Sequence, residues 1–167
     1  MHFHAFIIIN IEESMRKTTP EIIDAHNEEM KKMEVESNNM TFDEILDSYE
    51  KRKPSEYEKL LYALKQKVRK PLDEYCAYGN TEDKKRKFDN WTVVDVCIPE
   101  YLLRDTETFN DLFPEAIMTS DCRWIEMGWS ENEKKNEKLS LEWEGLVRDT
   151  LEENIEKSVV LLINCDS

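Results

Sequence analysis

Histidines near the start of the chain are the residues whose type and spacing could support chemistry. His2 and His4, in the segment HFH, lie on the same side of a predicted strand, about 7 Å apart by the rise of a strand. Two imidazoles at this spacing could bind a metal ion or hold a phosphate. A zinc site needs three or four ligands, and the other candidates are His26, Cys165 and Asp166. The alternative is polar residues at a strand end and a packed helix histidine, and we predict no metal site.

Motifs of the common catalytic sites are missing from the sequence. Histidine phosphodiesterases of the two-motif type need two His-x-Ser/Thr units, but Ala5 and Phe6 follow His4 and there is no second unit. The chain has no nucleophile elbow, P-loop or Rossmann fingerprint. Its four cysteines are far apart, as expected for reduced thiols in a cytosolic protein. We predict no catalytic residue and no cofactor, so that a small histidine-dependent phosphoesterase is a less favoured alternative.

A basic and aromatic segment, KKRKFDNW, offers a second type of chemistry. Lys84–Lys87 are four consecutive cations in an otherwise acidic chain, and they lead into Phe88, Asp89 and Trp91. Cations beside aromatic rings suit an anionic planar ligand such as a nucleotide, or an acidic protein partner. Trp129, at the end of a predicted strand, could stack on a base or enter a partner's pocket. The alternative is a lysine-rich edge that prevents strands of different molecules from pairing.

The charge of the chain limits its partners. With 37 acidic and 23 basic residues the net charge is −14, and phosphate contacts from lysine and arginine supply most non-specific nucleic-acid affinity. We therefore expect no direct non-specific binding to DNA or RNA, although dense carboxylates could imitate phosphates and occupy a basic groove. No apolar run has the roughly 18 residues of a membrane span. The N-terminal MHFHAFIIIN is typical of a strand and not of a signal peptide. These features predict a cytoplasmic protein with no membrane partner.

The elements that must position these residues alternate between apolar strands and amphipathic helices. FHAFIII, NWTVVDVCI and VVLLINCD indicate strands, and AIMTSDCRWIEMGW indicates one strand or two short strands joined at 120–121. Thr19 and Pro20 are typical of the N-cap and first position of a helix. A capping box at 41–44 starts a second helix, and Pro71 marks the end of a third. A further helix precedes the last strand.

This order predicts a single domain over residues 1–167 of the α+β class. Strand, helices, strand, strand, helix and strand match the ferredoxin-like split βαβ pattern, β-α-β-β-α-β, with inserted helices between the first and second strands. We expect residues 41–72 to be this helical insertion. Because the first and last strands are apolar on both sides, the insertion or a second copy of the chain, as a homodimer, would cover one face of the sheet.

Three segments of the chain resemble a family of small uncharacterised bacteriophage and prophage proteins. YGNTEDKKRKFDNW at 78–91 is similar to a family segment with the pattern N-x(6)-K-x-D-x-W, MTSDCRWIEMGW at 118–129 to one that ends in Met-Gly-Trp, and VVLLINCDS at 159–167 to a closing strand with cysteine. The motif positions are Asn80, Lys87, Asp89, Trp91, Trp124, Met127, Gly128, Trp129 and Cys165. Where the family has Gly-Gly-Arg-Trp, this chain has Val-Asp-Val-Cys at 94–97. A ligand loop that depends on those glycines would be altered or absent here.

The resemblance implies a viral or prophage origin and a ferredoxin-like core, without a settled activity. We therefore expect a non-enzymatic accessory protein that binds a host defence protein or a nucleotide second messenger, and acts in counter-defence as a nucleotide sponge or an anti-CRISPR-like inhibitor. The alternative is an acidic decoy that mimics nucleic acid and blocks a host DNA- or RNA-binding protein. Under either function, the protein would act in the cytoplasm of the host cell. The predicted ligand-binding residues are Asn80, Arg86, Lys87, Asp89, Trp91 and Trp129.

Overall fold

The computed structural model describes residues 2–50, 52–76, 87–128 and 131–166, and these form an α+β structure as expected. The strands are β1 (His2–Asn10), β2 (Asn90–Cys97), β3 (Ala116–Met118), β4 (Trp124–Glu126) and β5 (Ser158–Asp166). The helices are α1 (Glu13–Ser37), α2 (Phe42–Glu50), α3 (Glu56–Tyr75), α4 (Pro99–Arg104), α5 (Thr106–Asp111) and α6 (Glu133–Glu153). No helix in these ranges combines the length and the apolarity that crossing a membrane requires.

The strands form one mixed sheet in the order β2-β5-β1-β3-β4. β1 and β5 run antiparallel along their full lengths, from His2 opposite Asp166 to Asn10 opposite Ser158. β2 is antiparallel to β5, β3 is parallel to β1, and β4 is antiparallel to β3. The two most apolar strands therefore lie side by side inside the sheet, where both of their faces can be buried.

The segment at 116–126 forms two short strands, the second of the two arrangements that the sequence allowed. In the turn between them, the amide of Thr119 donates to the carbonyl of Arg123 at 2.9 Å, and the amide of Cys122 donates to the carbonyl of Thr119 at 2.9 Å. Cys122 has a φ of 66°, in the left-handed region, which closes the turn tightly. The described sheet accordingly has five strands, one more than the β-α-β-β-α-β pattern contains.

The first helix begins earlier than its sequence signals indicate. α1 starts at Glu13, and the expected N-cap Thr19 and the expected first residue Pro20 both lie inside it. Thr19 is fully buried, and its hydroxyl donates to the carbonyl of Met15 at 2.8 Å. The hydroxyl therefore bonds back to the preceding turn of the helix, a role that threonine fills as readily as capping an end.

The third helix continues past the proline that was expected to end it. α3 runs through Pro71 to Tyr75. Leu72 is fully buried and follows Leu64 and Val68 at a spacing of four residues. The buried contacts of this extra turn offset the backbone hydrogen bond that a proline cannot donate.

Helices cover both faces of the sheet and create two hydrophobic cores. On the first face, α1 and α3 pack against inward side chains that include Ala5, Ile7 and Leu161. On the second face, α4, α5 and α6 pack against side chains that include Phe6 and Ile8. Successive residues of a strand point to opposite faces, which explains the alternation along β1. Helices of the same chain therefore cover these apolar residues, and the homodimer stays a prediction.

The expected insertion at 41–72 has two unlike parts. α3 supplies five buried residues to the first core. By contrast, α2 lies on the outside, with Phe42 74% and Leu46 47% exposed. That the chain is a single domain and that 41–72 is an insertion within it both stay predictions.

Candidate functional site

The predicted ligand site lies partly outside the described residues. Asn80, Arg86 and Trp129 fall in ranges that the structure does not describe, as do the other cations before Lys87. Its described members are Lys87, Asp89 and Trp91. These three residues can be placed relative to the sheet.

The segment from Lys87 to Trp91 crosses the end of the sheet. The amide of Lys87 donates to the carbonyl of Tyr75 at 2.8 Å, and its ammonium lies 3.1 Å from Glu126 on β4. The amide of Asp89 donates to the carbonyl of Asp166 on β5 at 2.6 Å, and Trp91 then joins β2 at the opposite edge of the sheet. Lys87 and Trp91 thus contact different elements, and a ligand shared by both stays a prediction.

Trp124, one of the residues in the family resemblance, packs inside an aromatic cluster. The centroid of its ring lies 5.3 Å from that of Tyr75, 5.5 Å from that of Phe88 and 6.4 Å from that of Phe3. The indole nitrogen of Trp124 is buried and has no hydrogen-bond partner within the described part of the chain. Through Phe88, this cluster holds the segment that leads into β2 against Trp124 of β4, the strand at the other edge of the sheet.

Trp91 is half-buried and contacts α3. Its indole nitrogen donates to Asp73 at 3.2 Å, and the ammonium of Lys65 lies 5.7 Å from the centre of its ring. Both partners belong to the same side of α3, since they are eight residues apart. The structure therefore does place a cation beside this aromatic ring, but the cation comes from α3 and not from the segment that precedes Trp91.

A shallow cavity of about 450 Å³, open to solvent, lies on this side of α3. Its described lining consists of Gln66, Arg69, Lys70, Asp73 and Glu74. Within the described ranges, no carboxylate lies at ion-pair distance from Arg69 or Lys70, and both cations are exposed. Asp73 both lines the cavity and accepts the hydrogen bond of Trp91. We refer to Lys65, Arg69, Lys70, Asp73 and Trp91 as the α3–Trp91 patch.

Sequence reasoning missed the cations of this patch for an identifiable reason. The hexapeptide KQKVRK at 65–70 contains four cations and no acidic residue, but helix periodicity drew attention to its buried Val68. The signal that could have found the patch is the spacing of Lys65, Arg69 and Asp73, each four residues apart on one side of the helix. Which strand this side faces depends on tertiary packing, and that is not readable from local spacing.

The three histidines lie on opposite faces of the sheet. The register of β1 places His2 and His4 on the second face with Phe6 and Ile8. His26, on α1, stacks on Tyr57 above the first face, with ring centroids 3.5 Å apart. The sheet therefore separates His26 from the other two, and the described residues contain no cluster of three or more His, Cys, Asp or Glu arranged to hold a metal ion.

Burial sets the acidity of several groups near β2 and β5. Burial raises the pKa of the Cys97 thiol to about 12. Burial, with the charge of Asp166 as a further cause, raises the pKa of the Cys165 thiol to about 12. Burial and a hydrogen bond to Asp95 also raise the pKa of the Tyr57 hydroxyl well above its ordinary value. All three groups are therefore held in their neutral forms at physiological pH.

We expect Cys122 to be the thiol that reacts rapidly with Ellman's reagent at pH 8. It is exposed, whereas Cys76 and Cys165 are buried, and the raised pKa of the half-buried Cys97 leaves little thiolate at that pH. A folded pKa above the ordinary value favours the neutral thiol. The resulting stabilisation is complete below about pH 9 and is lost as the pH rises toward 12.

The measurement is the absorbance of the released thiolate over time, with Cys122→Ser as the comparison. This variant should lack the rapid phase, and all four cysteines should react in guanidinium chloride. A rapid phase that persists in Cys122→Ser would show that one of the other thiols is accessible and ionised.

Comparison with protein-family models, curated proteins and solved structures gives no match to this chain.

Proposed function

We propose that this chain is a non-enzymatic binding protein whose ligand is an anion with a planar ring, such as a nucleotide. The observation that carries the proposal is the position of Trp91, which lies beside Lys65 of α3 and donates to Asp73. Asp73 also lines the cavity together with Arg69 and Lys70. A nucleobase can stack on an indole ring, and phosphate oxygens accept hydrogen bonds from arginine and lysine. The ring and the phosphate of a nucleotide would thus each have a suitable partner within the α3–Trp91 patch.

The net charge of −14 is compatible with this ligand, because distant charges are screened. At physiological ionic strength the Debye length is about 8 Å. The groups that act on a phosphate beside Arg69 and Lys70 are therefore those of the patch itself. Of the nearby carboxylates, Asp73 accepts the Trp91 hydrogen bond, and Glu74 is also engaged in an interaction of its own.

The resemblance to bacteriophage proteins supports a biological setting for the proposal. A small phage protein that holds a nucleotide without converting it would act as a sponge for a nucleotide second messenger in the cytoplasm of the host. A phage protein that binds a host defence protein directly would act as an anti-CRISPR-like inhibitor. Both settings need binding only, in agreement with a sequence that lacks the motifs of the common catalytic sites.

We infer a variant of the ferredoxin-like fold as the scaffold, because its first and last strands, β1 and β5, pair antiparallel as they do in that fold. Neighbouring strands of a ferredoxin-like sheet are all antiparallel, so the parallel pairing of β1 with β3 departs from that pattern. β2 lies at the β5 edge of the sheet and carries Trp91.

Titration calorimetry with ATP, cyclic AMP and cyclic di-AMP tests the proposal. For whichever of these nucleotides binds, the double variant Arg69→Ala/Lys70→Ala should lower the affinity by at least about tenfold, because each hydrogen bond between charged groups contributes about 1.5–3 kcal/mol. Lys134→Ala/Lys135→Ala is the matched control, since it removes two exposed cations at the start of α6 and changes the net charge equally. The control should keep the dissociation constant within about twofold.

Two substitutions of Trp91 separate stacking from folding. Trp91→Phe keeps a ring and should retain most of the affinity, whereas Trp91→Ala should lose about 1–3 kcal/mol of stacking. Circular dichroism verifies that both variants are folded. Equal losses for the two double variants, or the absence of heat with all three nucleotides, would contradict the proposal.

An acidic decoy of a host DNA- or RNA-binding protein is the second candidate, and α2 is the observation that favours it. This helix carries four acidic residues and no basic one, with Phe42 and Leu46 exposed. An acidic helix with exposed apolar side chains suits a basic groove that has an apolar floor. A chain that binds none of the three nucleotides would make this the better supported function.

A further inference from the structure

The second face of the sheet ends in polar residues that its helices do not cover. His2, His4, Phe6 and Ile8 alternate onto this face along β1. Phe6 and Ile8 are buried under the helices of the second core, whereas His4 is half-buried and the side chain of His2 is 83% exposed. The helices of the second core thus end before the sheet does, and the first two residues of β1 on this face are the histidines His2 and His4.

Strand register continues this polar surface onto two neighbouring strands. His4 lies opposite Asn164 of β5, which lies opposite Thr92 of β2. Two residues further along, the corresponding row is His2, Asp166 and Asn90. Residues directly opposite one another point to the same face, and neighbouring strands are about 4.8 Å apart. Six polar side chains therefore share an area of roughly 10 by 7 Å on one face. We refer to His2, His4, Asn90, Thr92, Asn164 and Asp166 as the polar end patch.

Most hydrogen-bond donors of the polar end patch are unused within the described part of the chain. The imidazole of His4, the amide of Asn164 and the hydroxyl of Thr92 have no partner among the described residues. The side-chain oxygen of Asn90 accepts from the amide of Trp91 at 2.9 Å, so its NH₂ group points away from that bond. One ring nitrogen of His2 bonds to Asp166, which leaves the other available.

Two carboxylates lie in or beside the patch, and each has a hydrogen-bond partner. Asp166 bonds to His2, and Glu115, which lies beside His4 on the β3 side, accepts from the amide of His4 at 2.8 Å. The row of His4, Asn164 and Thr92 contains no carboxylate, and it offers imidazole, amide and hydroxyl groups, which are among the donors that hold a tetrahedral oxyanion in proteins. Their positions on three paired strands are fixed by the sheet, so that little order has to be gained on binding.

We propose that the polar end patch is a binding site for a phosphate group, held chiefly by His4, Asn164 and Thr92. This site is independent of the α3–Trp91 patch, because it lies on the opposite face of the sheet. Neighbouring residues of β2 illustrate the separation, since Trp91 packs toward the first core and Thr92 points to the second face. A phosphate bound here would contact the row of His4, Asn164 and Thr92. In the neighbouring row, it would be within reach of His2 and Asn90.

Titration of the full chain with inorganic phosphate tests this site. In two-dimensional proton–nitrogen NMR spectra, the signals of the His4 ring and the Asn164 side chain should shift along one saturable curve, while those of His26 stay in place. Asn164→Ala should lower the affinity for phosphate by about tenfold, as expected for the loss of a hydrogen bond to a charged group. Thr92→Val removes the hydroxyl and keeps the shape of the side chain, and it should lower this affinity by several fold.

Two control variants make the result decisive. His26→Gln removes the histidine of the opposite face and should leave the phosphate affinity within about twofold. Arg69→Ala/Lys70→Ala should do the same, so that failure of the nucleotide site and failure of this site can be told apart. Competition by phosphoserine would extend the site to phosphate monoesters, and its absence would restrict the site to free phosphate. Shifts that do not saturate, or an affinity that falls only in the Arg69→Ala/Lys70→Ala variant, would overturn the proposal.

Discussion

Phe6→Ala is expected to lower the free energy of unfolding by about 3–5 kcal/mol. Phe6 is fully buried in the middle of the sheet, where it lies opposite Leu162 on β5 and Ile117 on β3. It belongs to the same core as Trp143 and Leu151 of α6. Since the strands on both sides are fixed by hydrogen bonds, they cannot move inward to fill the space left by the ring. Urea denaturation followed by circular dichroism measures the change.

Leu141→Ala is the control for this substitution. Leu141 lies on α6, the helix that packs on Phe6, but its own side chain is 72% exposed. Its replacement should therefore change the free energy of unfolding by no more than about 0.5 kcal/mol. The midpoint of denaturation should therefore move for Phe6→Ala alone, with the slope of the transition unchanged in both. A loss below about 1 kcal/mol for Phe6→Ala would mean that the second core is loosely packed around this ring.

Arg16→Ala is expected to lower the free energy of unfolding by about 3 kcal/mol. The guanidinium of Arg16 is buried between α1 and the second half of the chain, where Nε donates to the carbonyl of Ser158 at 3.1 Å and Nη2 pairs with Glu100. One oxygen of Glu100 is buried without a partner among the described residues. Removing the arginine would leave this carboxylate without its compensating charge, which costs more than the loss of the pair itself. Thermal and urea denaturation measure the effect.

The neighbouring residue provides a matched control. Lys17 pairs with Glu13 one turn earlier, and its side chain is 75% exposed, so Lys17→Ala should cost no more than about 0.5 kcal/mol. The double variant Arg16→Met/Glu100→Leu should regain most of the stability lost in Arg16→Ala, because apolar residues can replace a buried ion pair at little cost. An Arg16→Ala variant as stable as Lys17→Ala would show that the pair contributes nothing.

Those parts of the fold that follow from local pattern could be predicted from the sequence. The apolar runs at the two ends form β1 and β5, and the residues spaced at 57, 60, 64 and 68 are the buried side of α3. The turn between β3 and β4 was expected at 120–121 and lies there. In each case the signal is hydrophobic periodicity or turn chemistry within one short segment.

Features that depend on distant segments could not be predicted in this way. Arg16 reads as a surface residue, because its partners Glu100 and Ser158 are far away in the chain. The cation beside Trp91 comes from α3, and local spacing drew attention to the lysines that precede it in sequence. The three histidines were considered together as possible ligands of one metal site. The face of the sheet on which His26 lies, however, depends on how α1 packs, which local sequence does not show.

The pairing of β1 with β5 has a consequence for biosynthesis. His2 and Asp166 are partners across 164 positions of the chain. At the usual speed of translation, on the order of ten to thirty seconds pass between the emergence of the first strand and that of its partner. During this interval the nascent segment FIII has no strand to pair with on the β5 side, and it is open to contact with chaperones or with neighbouring ribosome-bound copies. Completion of the native core must therefore wait until β5 has emerged from the ribosome.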